Sequence, residues 1–534
     1  MIRAEVIIAG GGPSGLMLAG ELRLAGVDVL VLERLASGMQ ESRAGGIHAR
    51  TMEIFDQRGL LDAMLPEIKR MNVAHFSALW LDVSTMPTRH PYLGMILQSR
   101  IERHLGDWTS GLGVRVMRDA EVVGVEQGDT GVEVRVRSAA GEESVVHGDY
   151  LVGCDGGRSA VRRLAGFEFP GTPASMTALL ADVELAEPPA GRVFQERREH
   201  GSFSVMDFEP GWYRVMTNEY DHVIDRDAEV GLEDVRKAMV KIAGTDFGMH
   251  SPRWVSRFSD AARQASEYRR GRVLLAGDAA HIHFPAGGQG LNTGVQDAVN
   301  LGWKLAAVVR GGAEELLDTY HSERHPVGER VLHNTRAQTV LGAPGEHMTA
   351  LRETFAGLLG IEEANARLAG MITALDVRYE MGGGGDHPLL GLRVPDVEIE
   401  LAGADGAERT QRTGGTDRTG GASRVHELLR TGRWVLLDLG VGRDPAAEPD
   451  TAAGLDLAAG LDLAALAAER SEVDLVAATC PEQRWALPPT GEVEAPLAVL
   501  IRPDGHVAWV GMGADGDAEG LRAAMRRWFG TRGE

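Results

Sequence analysis

Glu5-Val6-Ile7-Ile8-Ala9-Gly10-Gly11-Gly12-Pro13-Ser14-Gly15 is followed by apolar residues at helical spacing from Leu16 to Leu24 and by a second apolar run, Val27 to Leu32. An apolar run, a glycine turn, a helix-period segment and another apolar run read as strand, turn, helix, strand. Gly10, Gly12 and Gly15 form G-x-G-x-x-G at the strand-to-helix junction. Glycines there permit a tight turn and let backbone N–H groups approach a pyrophosphate at the helix N-terminus. Glu33 ends the second strand, close to the expected interval of roughly 20 residues, where a carboxylate accepts hydrogen bonds from a ribose diol. The opening therefore reads as a dinucleotide-binding α/β unit.

Beyond it, a helical run is expected from Ala49 to Leu61. The runs Val114–Val116, Glu121–Val125, Val132–Val136 and Ser144–Val152 alternate or are β-branched, with glycine turns between them, and read as a meander. Residues 173–266 are strand-rich and hold most of the mid-chain aromatics, so a second, antiparallel domain is expected there. Arg272–Ala276 reads as a short buried strand and Thr293–Val309 as a long helix, returning the chain to the first domain. Four glycines within Met381–Asp386, then Pro388 and Pro395, mark a linker into a C-terminal unit. In that unit Trp434–Leu439 and Leu497–Arg502 read as buried strands and Ala518–Phe529 as a helix. The repeat Gly-Leu-Asp-Leu-Ala-Ala at 454–459 and 460–465 is low complexity and reads as an insertion.

The division expected is 1–172 for the first part of the dinucleotide domain, with an excursion near 73–97 toward the substrate domain. The substrate domain follows at 173–266, the second part of the dinucleotide domain at 267–385, and the C-terminal domain at 393–534. A chain of 534 residues suits about three to four domains. With 43% hydrophobic and 25% charged residues it is ordinary globular composition, not disorder. Lys and Arg number 55 against 77 Asp and Glu, a net charge of −22. That excess repels phosphate backbones and anionic lipid, which argues against nucleic-acid or membrane-surface partners. Cys154 and Cys480 form no C-x-x-C, so neither a disulfide framework nor a cysteine zinc site is expected, and a reducing cytoplasm fits. There is no uninterrupted apolar run of transmembrane length.

Two later motifs select the dinucleotide. Gly153-Cys154-Asp155-Gly156-Gly157-Arg158-Ser159-Ala160-Val161-Arg162 resembles the DG fingerprint of flavoprotein hydroxylases. Gly277-Asp278-Ala279-Ala280-His281 resembles their GD fingerprint, continued by Pro285-Ala286-Gly287-Gly288-Gln289-Gly290-Leu291-Asn292. Over most of residues 1–335 the chain is similar to the group A flavin-dependent monooxygenases, the para-hydroxybenzoate and phenol hydroxylase superfamily. Its length and C-terminal unit look like the three-domain aromatic polyketide hydroxylases and rifampicin-type monooxygenases. Gly391–Asp396 and Leu500–Trp509 resemble the thioredoxin-like tail of those enzymes.

The resemblance implies a Rossmann-like FAD-binding domain, an antiparallel middle substrate domain and a thioredoxin-like C-terminal domain. It implies FAD, bound by Gly10, Gly12, Pro13, Ser14, Gly15, Glu33, Arg34, Arg43, Gln98, Asp155, Asp278, Pro285, Gly288, Gly290, Leu291 and Asn292. Arg34 is expected on the adenosine side and Gln98 on the ribityl chain. Arg43, Pro285 and Gly288 are expected around the reacting flavin, with no side-chain acid or base assigned. Read from the residues alone, Asp278 also suits a helix N-cap. His281 and His283 alternate in a strand-like piece without a third ligand, so no metal is expected.

The implied reaction uses transient NADPH, or NADH, to reduce FAD. Dioxygen then forms a flavin C4a-hydroperoxide that hydroxylates a polycyclic aromatic of polyketide type. Baeyer–Villiger oxidation and antibiotic inactivation are alternatives on the same scaffold, and a non-catalytic flavoprotein is a more distant one. Phe203, Met206, Trp212 and Tyr213 are expected as substrate walls, because aromatic ligands favour aromatic and apolar surroundings. Arg214 or His75 is expected to orient a polar substituent. The same aromatics also suit ordinary sheet core. A monomer or a homodimer is expected.

Overall fold

The computed structural model describes residues 2–38, 42–220, 223–224, 228–382, 386–401, 421–440, 463, 470–513 and 517–530. Strand β1 (Val6–Ala9), helix α1 (Pro13–Leu24) and β2 (Val29–Glu33) realise the opening motif. Both strands are built of β-branched and aliphatic residues buried on both faces, the composition a parallel sheet covered by helices requires. Helices α2 (Ala49–Gln57) and α3 (Gln98–Gly111) precede β3 (Arg115–Arg118), and β4 (Tyr150–Gly153) follows a three-stranded ribbon at 121–127, 132–137 and 143–148. The four runs read as one meander form five strands, because the last run, Ser144–Val152, divides in two. The middle three strands pair antiparallel, while β3 and β4 join the parallel sheet on either side of β2 and β1. Their burial explains the split: β4 is buried throughout, whereas the ribbon strand Val132–Arg137 alternates buried and exposed. Between α2 and α3 the chain makes a hairpin, Val73–Phe76 with Leu79–Asp82, and a short strand, Leu93–Met95.

A second sheet follows: β5 (Thr177–Leu185), β6 (Val193–Arg198), β7 (Gly201–Glu209), β8 (Trp212–Glu219), then helix α4 (Leu232–Ala243) and β9 (Met249–Ser259). The strand order is β6-β7-β8-β5-β9, all antiparallel. One face packs Leu179, Phe203, Val205 and Val215 against Val235, Met239 and Ile242 of α4. The other face is turned toward the first domain.

The chain then re-enters the parallel sheet as β10 (Val273–Leu275), giving the order Arg269–Arg270, β10, β4, β1, β2, β3. Helices α5 (Gln289–Val309), α6 (Asp318–Gly342) and α7 (Glu346–Leu359) follow. The C-terminal unit comprises β11 (Glu398–Leu401), β12 (Gly421–Arg424), β13 (Trp434–Asp438), β14 (Val473–Thr479), β15 (Ala498–Ile501), β16 (Val507–Gly511) and helix α8 (Asp517–Phe529). Its order is β12-β11-β14-β13-β15-β16, with β13 and β14 parallel and β15 and β16 antiparallel, the thioredoxin-like arrangement. The Gly-Leu-Asp-Leu-Ala-Ala repeat, apart from Leu463, lies outside the described residues.

The C-terminal unit is joined to the first domain through a shared core. Trp434 and Trp528 pack edge-on against Trp303 of α5. Buried charges lie beside them. Arg502 grips Glu323 of α6 with two hydrogen bonds, 2.7 and 2.8 Å, and Asp504 with two more. Lys304 of α5 donates to the same Glu323 at 2.8 Å. Arg58 holds Glu21 of α1 bidentately and donates to the carbonyls of Leu429 and Pro503. Arg50, in the first turn of α2, donates to the Asp504 carbonyl at 2.7 Å.

Candidate active site

A single cavity of about 1710 Å³ runs from the glycine turn to the open face of the second sheet. Ligand pockets for one drug-sized molecule are about 300–1,000 Å³, so this space suits more than one. At its closed end the three motif glycines divide their work. Gly10 has φ +104°, and a Cβ there would overlap the Cys154 carbonyl; a Cβ at Gly15 would overlap the Gly10 carbonyl. These two are required by the protein's own packing, and Gly15 is not in the cavity wall. A Cβ at Gly12 would meet no protein atom within 4 Å, so it would project into free cavity space. Helix α1 starts at Pro13 without a side-chain cap, leaving its N-terminal dipole available to an anion. The two glycines therefore give opposite expectations. Gly10→Ala lowers the melting temperature of the apoprotein, whereas Gly12→Val leaves it within a degree or two and lowers retained flavin about tenfold or more. Thermal melts and flavin absorbance on the same samples check both.

Glu33 accepts the Gly11 N–H at 2.7 Å and the Leu35 N–H at 2.8 Å. Its carboxylate thus shapes the glycine turn and keeps a lone pair on each oxygen for the cavity it lines. Arg34, Arg43, Pro13, Ser14, Gln98, Asp155, Asp278, Pro285, Gly288, Gly290 and Leu291 also line it. Gln98 accepts from the Ala44 N–H and donates to Glu102. One oxygen of Asp155 accepts the N–H groups of Ala160 and Val161, capping that short helix, while the other is buried without a partner.

At the far end, Gly287 and Gly288 are both left-handed, φ +69° and +66°, a conformation that glycine adopts without a Cβ penalty. They lead into α5, whose N-terminus has no side-chain cap and also opens on the cavity. Two helix N-termini thus face one space, one where a pyrophosphate would lie and one where developing negative charge would be stabilised. Asn292, expected to touch the cofactor, is instead buried behind this wall. It accepts the His48 N–H at 2.8 Å and donates to Gly288 O at 2.8 Å and Gly46 O at 3.3 Å, tying the 42–48 and 285–288 loops together. His48 Nδ1 donates to the Ile372 carbonyl, 2.5 Å away, and burial lowers its pKa.

A buried triad supports the loop that carries Asp278. Asp297 accepts from His281 at 2.7 Å, from Arg324 at 2.7 Å and from the Gly277 N–H at 3.1 Å. Burial would raise the Asp297 carboxyl, but Arg324 and then His281 hold it down to about 2. His281 Nε2 is thus engaged with a carboxylate. Among the described residues the one histidine and carboxylate group of ligand-like geometry, Asp56, Asp396 and His426, is already bridged by Arg424.

The substrate-wall expectations need correction. On β7 the side chains alternate, so Ser202, Ser204 and Met206 face the cavity while Phe203, 1% exposed, faces α4. Tyr213 packs on that same core side. Trp212 lies in a separate surface cleft with Arg253 stacked 3.7 Å over its ring. Of the four expected walls only Met206 lines the main cavity, because Phe203 and Tyr213 belong to the helix-packed core and Trp212 to the separate cleft. His75 lines the cavity, set edge-on to Trp80, and burial, then His48, pulls its imidazole down to about 4.

Arg214 also reaches the cavity but is committed. It holds Asp182 bidentately at 2.8 Å and donates to the carbonyls of Ser42 and Arg43. It therefore braces the Arg43 loop rather than awaiting a substrate group. Arg214→Met is expected to weaken FAD binding at least tenfold while changing substrate Kd in the flavin-loaded protein by less than threefold, measurable by flavin fluorescence titration. Residues missed in the sequence include Ser204, Asn218, Tyr220 and Arg352, all lining the cavity. The period-two Ser-Phe-Ser-Val-Met pattern at 202–206 was the signal that could have found Ser204.

The chain matches an FAD binding domain over residues 3–335 and an aromatic-ring hydroxylase C-terminal domain over 387–531. It belongs to the FAD-dependent aromatic-ring hydroxylases. It is 44% identical to the 12-dehydrotetracycline 5-monooxygenase/anhydrotetracycline 6-monooxygenase of Streptomyces rimosus, over 99% of both chains. It is 41% identical to a rifampicin monooxygenase of Streptomyces venezuelae, again over 99% of both. The structure of OxyS anhydrotetracycline hydroxylase from Streptomyces rimosus superposes with a TM-score of 0.84 at 43% identity, covering 100% of each chain. This hydroxylase is thus an FAD-dependent monooxygenase, and the glycine turn, Glu33, the Asp278 loop and the two helix N-termini fit that cofactor. FAD, when bound, supplies the redox and oxygen-transfer chemistry. No helix among the described residues is long and apolar enough to cross a membrane.

Proposed function

We propose that this enzyme uses NADPH and dioxygen to hydroxylate a fused-ring aromatic of polyketide type. The observation that carries this reading is the continuity of the cavity: the space beside Pro285 and Gly288 runs on to the face of a five-stranded sheet and exceeds what one small ligand fills. The tetracycline-named relative, similar over nearly the whole chain, supports a polycyclic substrate. The protein's part is to hold the cofactor at the two helix N-termini, to orient the ring against the sheet face and to keep out water, which would waste the reducing equivalents. No side chain need supply an acid or base for the oxygen transfer itself.

We place the enzyme in the cytoplasm as a monomer or homodimer. The test is anaerobic reduction of the holoenzyme by NADPH with and without anhydrotetracycline, rifampicin and simpler fused-ring phenols, followed by turnover in isotopically labelled dioxygen. Faster flavin bleaching with one of them, and one labelled oxygen in its product, is expected. Absence of flavin after reconstitution, or reduction that no aromatic accelerates, overturns the reading. The rifampicin monooxygenase relative favours a second reading, oxidative inactivation of an antibiotic, which predicts that expressing this chain raises rifampicin resistance in a sensitive host.

A further inference from the structure

The sheet face of the cavity carries a polar strip. Ser202 and Asn218 sit directly opposite each other on β7 and β8, and Ser204 lies one step further along the same face, opposite Met216. All three are more than nine-tenths buried and line the cavity. Asn218 Nδ2 donates to Ser202 Oγ at 2.9 Å, which leaves Asn218 Oδ1 as the free end.

Asn218 Oδ1 and Ser204 Oγ are in fact buried with no hydrogen-bond partner. Orphaned polar atoms of this kind are rare in native proteins because each carries a desolvation cost. Both residues sit on one wall of a ligand-sized cavity. Further along the same face, burial raises the Tyr220 pKa, so its hydroxyl keeps a proton to give. The space that hydroxyl occupies is reserved: a Cβ on Gly342 would overlap it. Tyr220 also packs on the cluster containing Phe284 and Ala286, so this end of the strip adjoins the loop at the start of α5.

Resting on the hydroxylase reading above, we propose that Asn218, Ser204 and Tyr220 are positioning residues that read a hydroxyl–carbonyl edge of the substrate. Asn218 Oδ1 accepts from a phenol or enol hydroxyl, Tyr220 donates to the neighbouring carbonyl, and Ser204 completes the contact as donor or acceptor. The substrate class is a fused-ring phenol with a carbonyl in the peri position, the pattern of hydroxyquinones and enolised diketones. The strip selects against ethers at the hydroxyl position, because an ether oxygen would face an acceptor with no proton between them.

The probes are a peri-hydroxyanthraquinone, its O-methyl ether and the corresponding peri-aminoanthraquinone, titrated into the holoenzyme and read by perturbation of the flavin spectrum. The hydroxy and amino compounds, both donors, are expected to bind about tenfold or more tighter than the ether. In Asn218→Leu this ratio falls to near one, with the loss confined to the donor compounds. Tyr220→Phe, which keeps the ring, weakens the hydroxy compound and the ether alike, because both retain the carbonyl. Flavin content and melting curves report folding, and if Asn218→Leu does not fold, the wild-type ratio and Tyr220→Phe still decide. An unchanged ratio in Asn218→Leu, or a wild type that binds the ether as tightly, overturns the inference. A holoenzyme whose reduction no aromatic accelerates fails the hydroxylase reading instead, whereas accelerated reduction with unselective binding sinks this inference alone.

Discussion

Glu323→Ala is expected to destabilise the enzyme by about 3–5 kcal/mol, the cost of breaking a buried ion pair from one side. Glu323 is the shared acceptor of three donors: Arg502 takes both its oxygens, and Lys304 and Asn300 share one of them at 2.8 and 2.6 Å. Arg502 and Lys304 have side chains with no solvent exposure, so losing the carboxylate strands positive charge in the core. The damage falls where α5 and α6 meet the C-terminal unit. Trp303, Trp434 and Trp528 lie at that junction, which makes their fluorescence the direct readout, with a red shift at lower denaturant than in the wild type. The double variant Lys304→Met, Glu323→Met removes the stranded ammonium and leaves Arg502 its Asp504 partner. It should recover most of the loss, since buried pairs are commonly matched by apolar side chains of similar volume.

The same carboxylates set an acid limit. Burial opposes ionisation of Glu323, but Arg502 and then Lys304 win and hold it at about 2 against an ordinary 4.5; Asp297 is likewise held at about 2 against 3.8. A depressed carboxyl binds fewer protons in the folded state than in the unfolded one, so stability rises with pH across the interval between the two values. The contribution is complete above about pH 4.5 and is lost as pH falls toward 2, with the Glu323 share worth roughly 3 kcal/mol. In Glu323→Ala the acid side of the stability curve should flatten over that interval. Lys304 adds an opposite-looking feature with the same sign: burial pulls its ammonium down to about 8 from 10.5, so its share of stability also rises with pH between 8 and 10.5.

How much of this was legible in the sequence depends on range. The opening strand, glycine turn, helix and strand declared themselves because the period changes from 2 to 3.6 across a glycine cluster, all within residues 5 to 33. The Gly287–Gly288 loop was readable for the same local reason. The substrate wall was not, because which face of β7 meets the cavity depends on where α4 packs, and α4 lies some thirty residues on in the chain. Choosing the aromatics there selected the core face, whereas the serines and Asn218 mark the ligand face. The long-range contacts of Arg50, Arg58 and Arg502 were also out of reach: Arg50 and Arg58 donate to backbone carbonyls 454 and 445 positions away and Arg502 pairs with Glu323 179 positions away, and an arginine's sequence neighbours do not reveal whether it will be buried. The motif fixes the position of Asn292 along the chain but not the direction of its side chain, which bonds His48, Gly288 and Gly46 behind the cavity wall.

That direction makes Asn292→Leu the most damaging single change expected for catalysis. Leucine matches the volume but leaves the His48 N–H and the carbonyls of Gly288 and Gly46 without their partner, each such buried orphan costing about 1–3 kcal/mol. The 42–48 loop is then free to move against the 285–288 loop, and these line the same end of the cavity. A displacement of about 1 Å at a reacting centre costs roughly 100-fold, so product formation is expected to fall by that order. With NADPH as the proposed reductant, its oxidation should fall less, because reduction tolerates a looser and wetter site than oxygen transfer does, and the product formed per NADPH consumed measures the gap directly. Asn292→Asp is the informative companion. It keeps an acceptor for the His48 N–H but cannot donate to either carbonyl and sets negative charge beside both. If the two donated bonds hold the loops, Asp should fail as Leu does; an Asp variant with wild-type coupling would show that the His48 contact alone suffices.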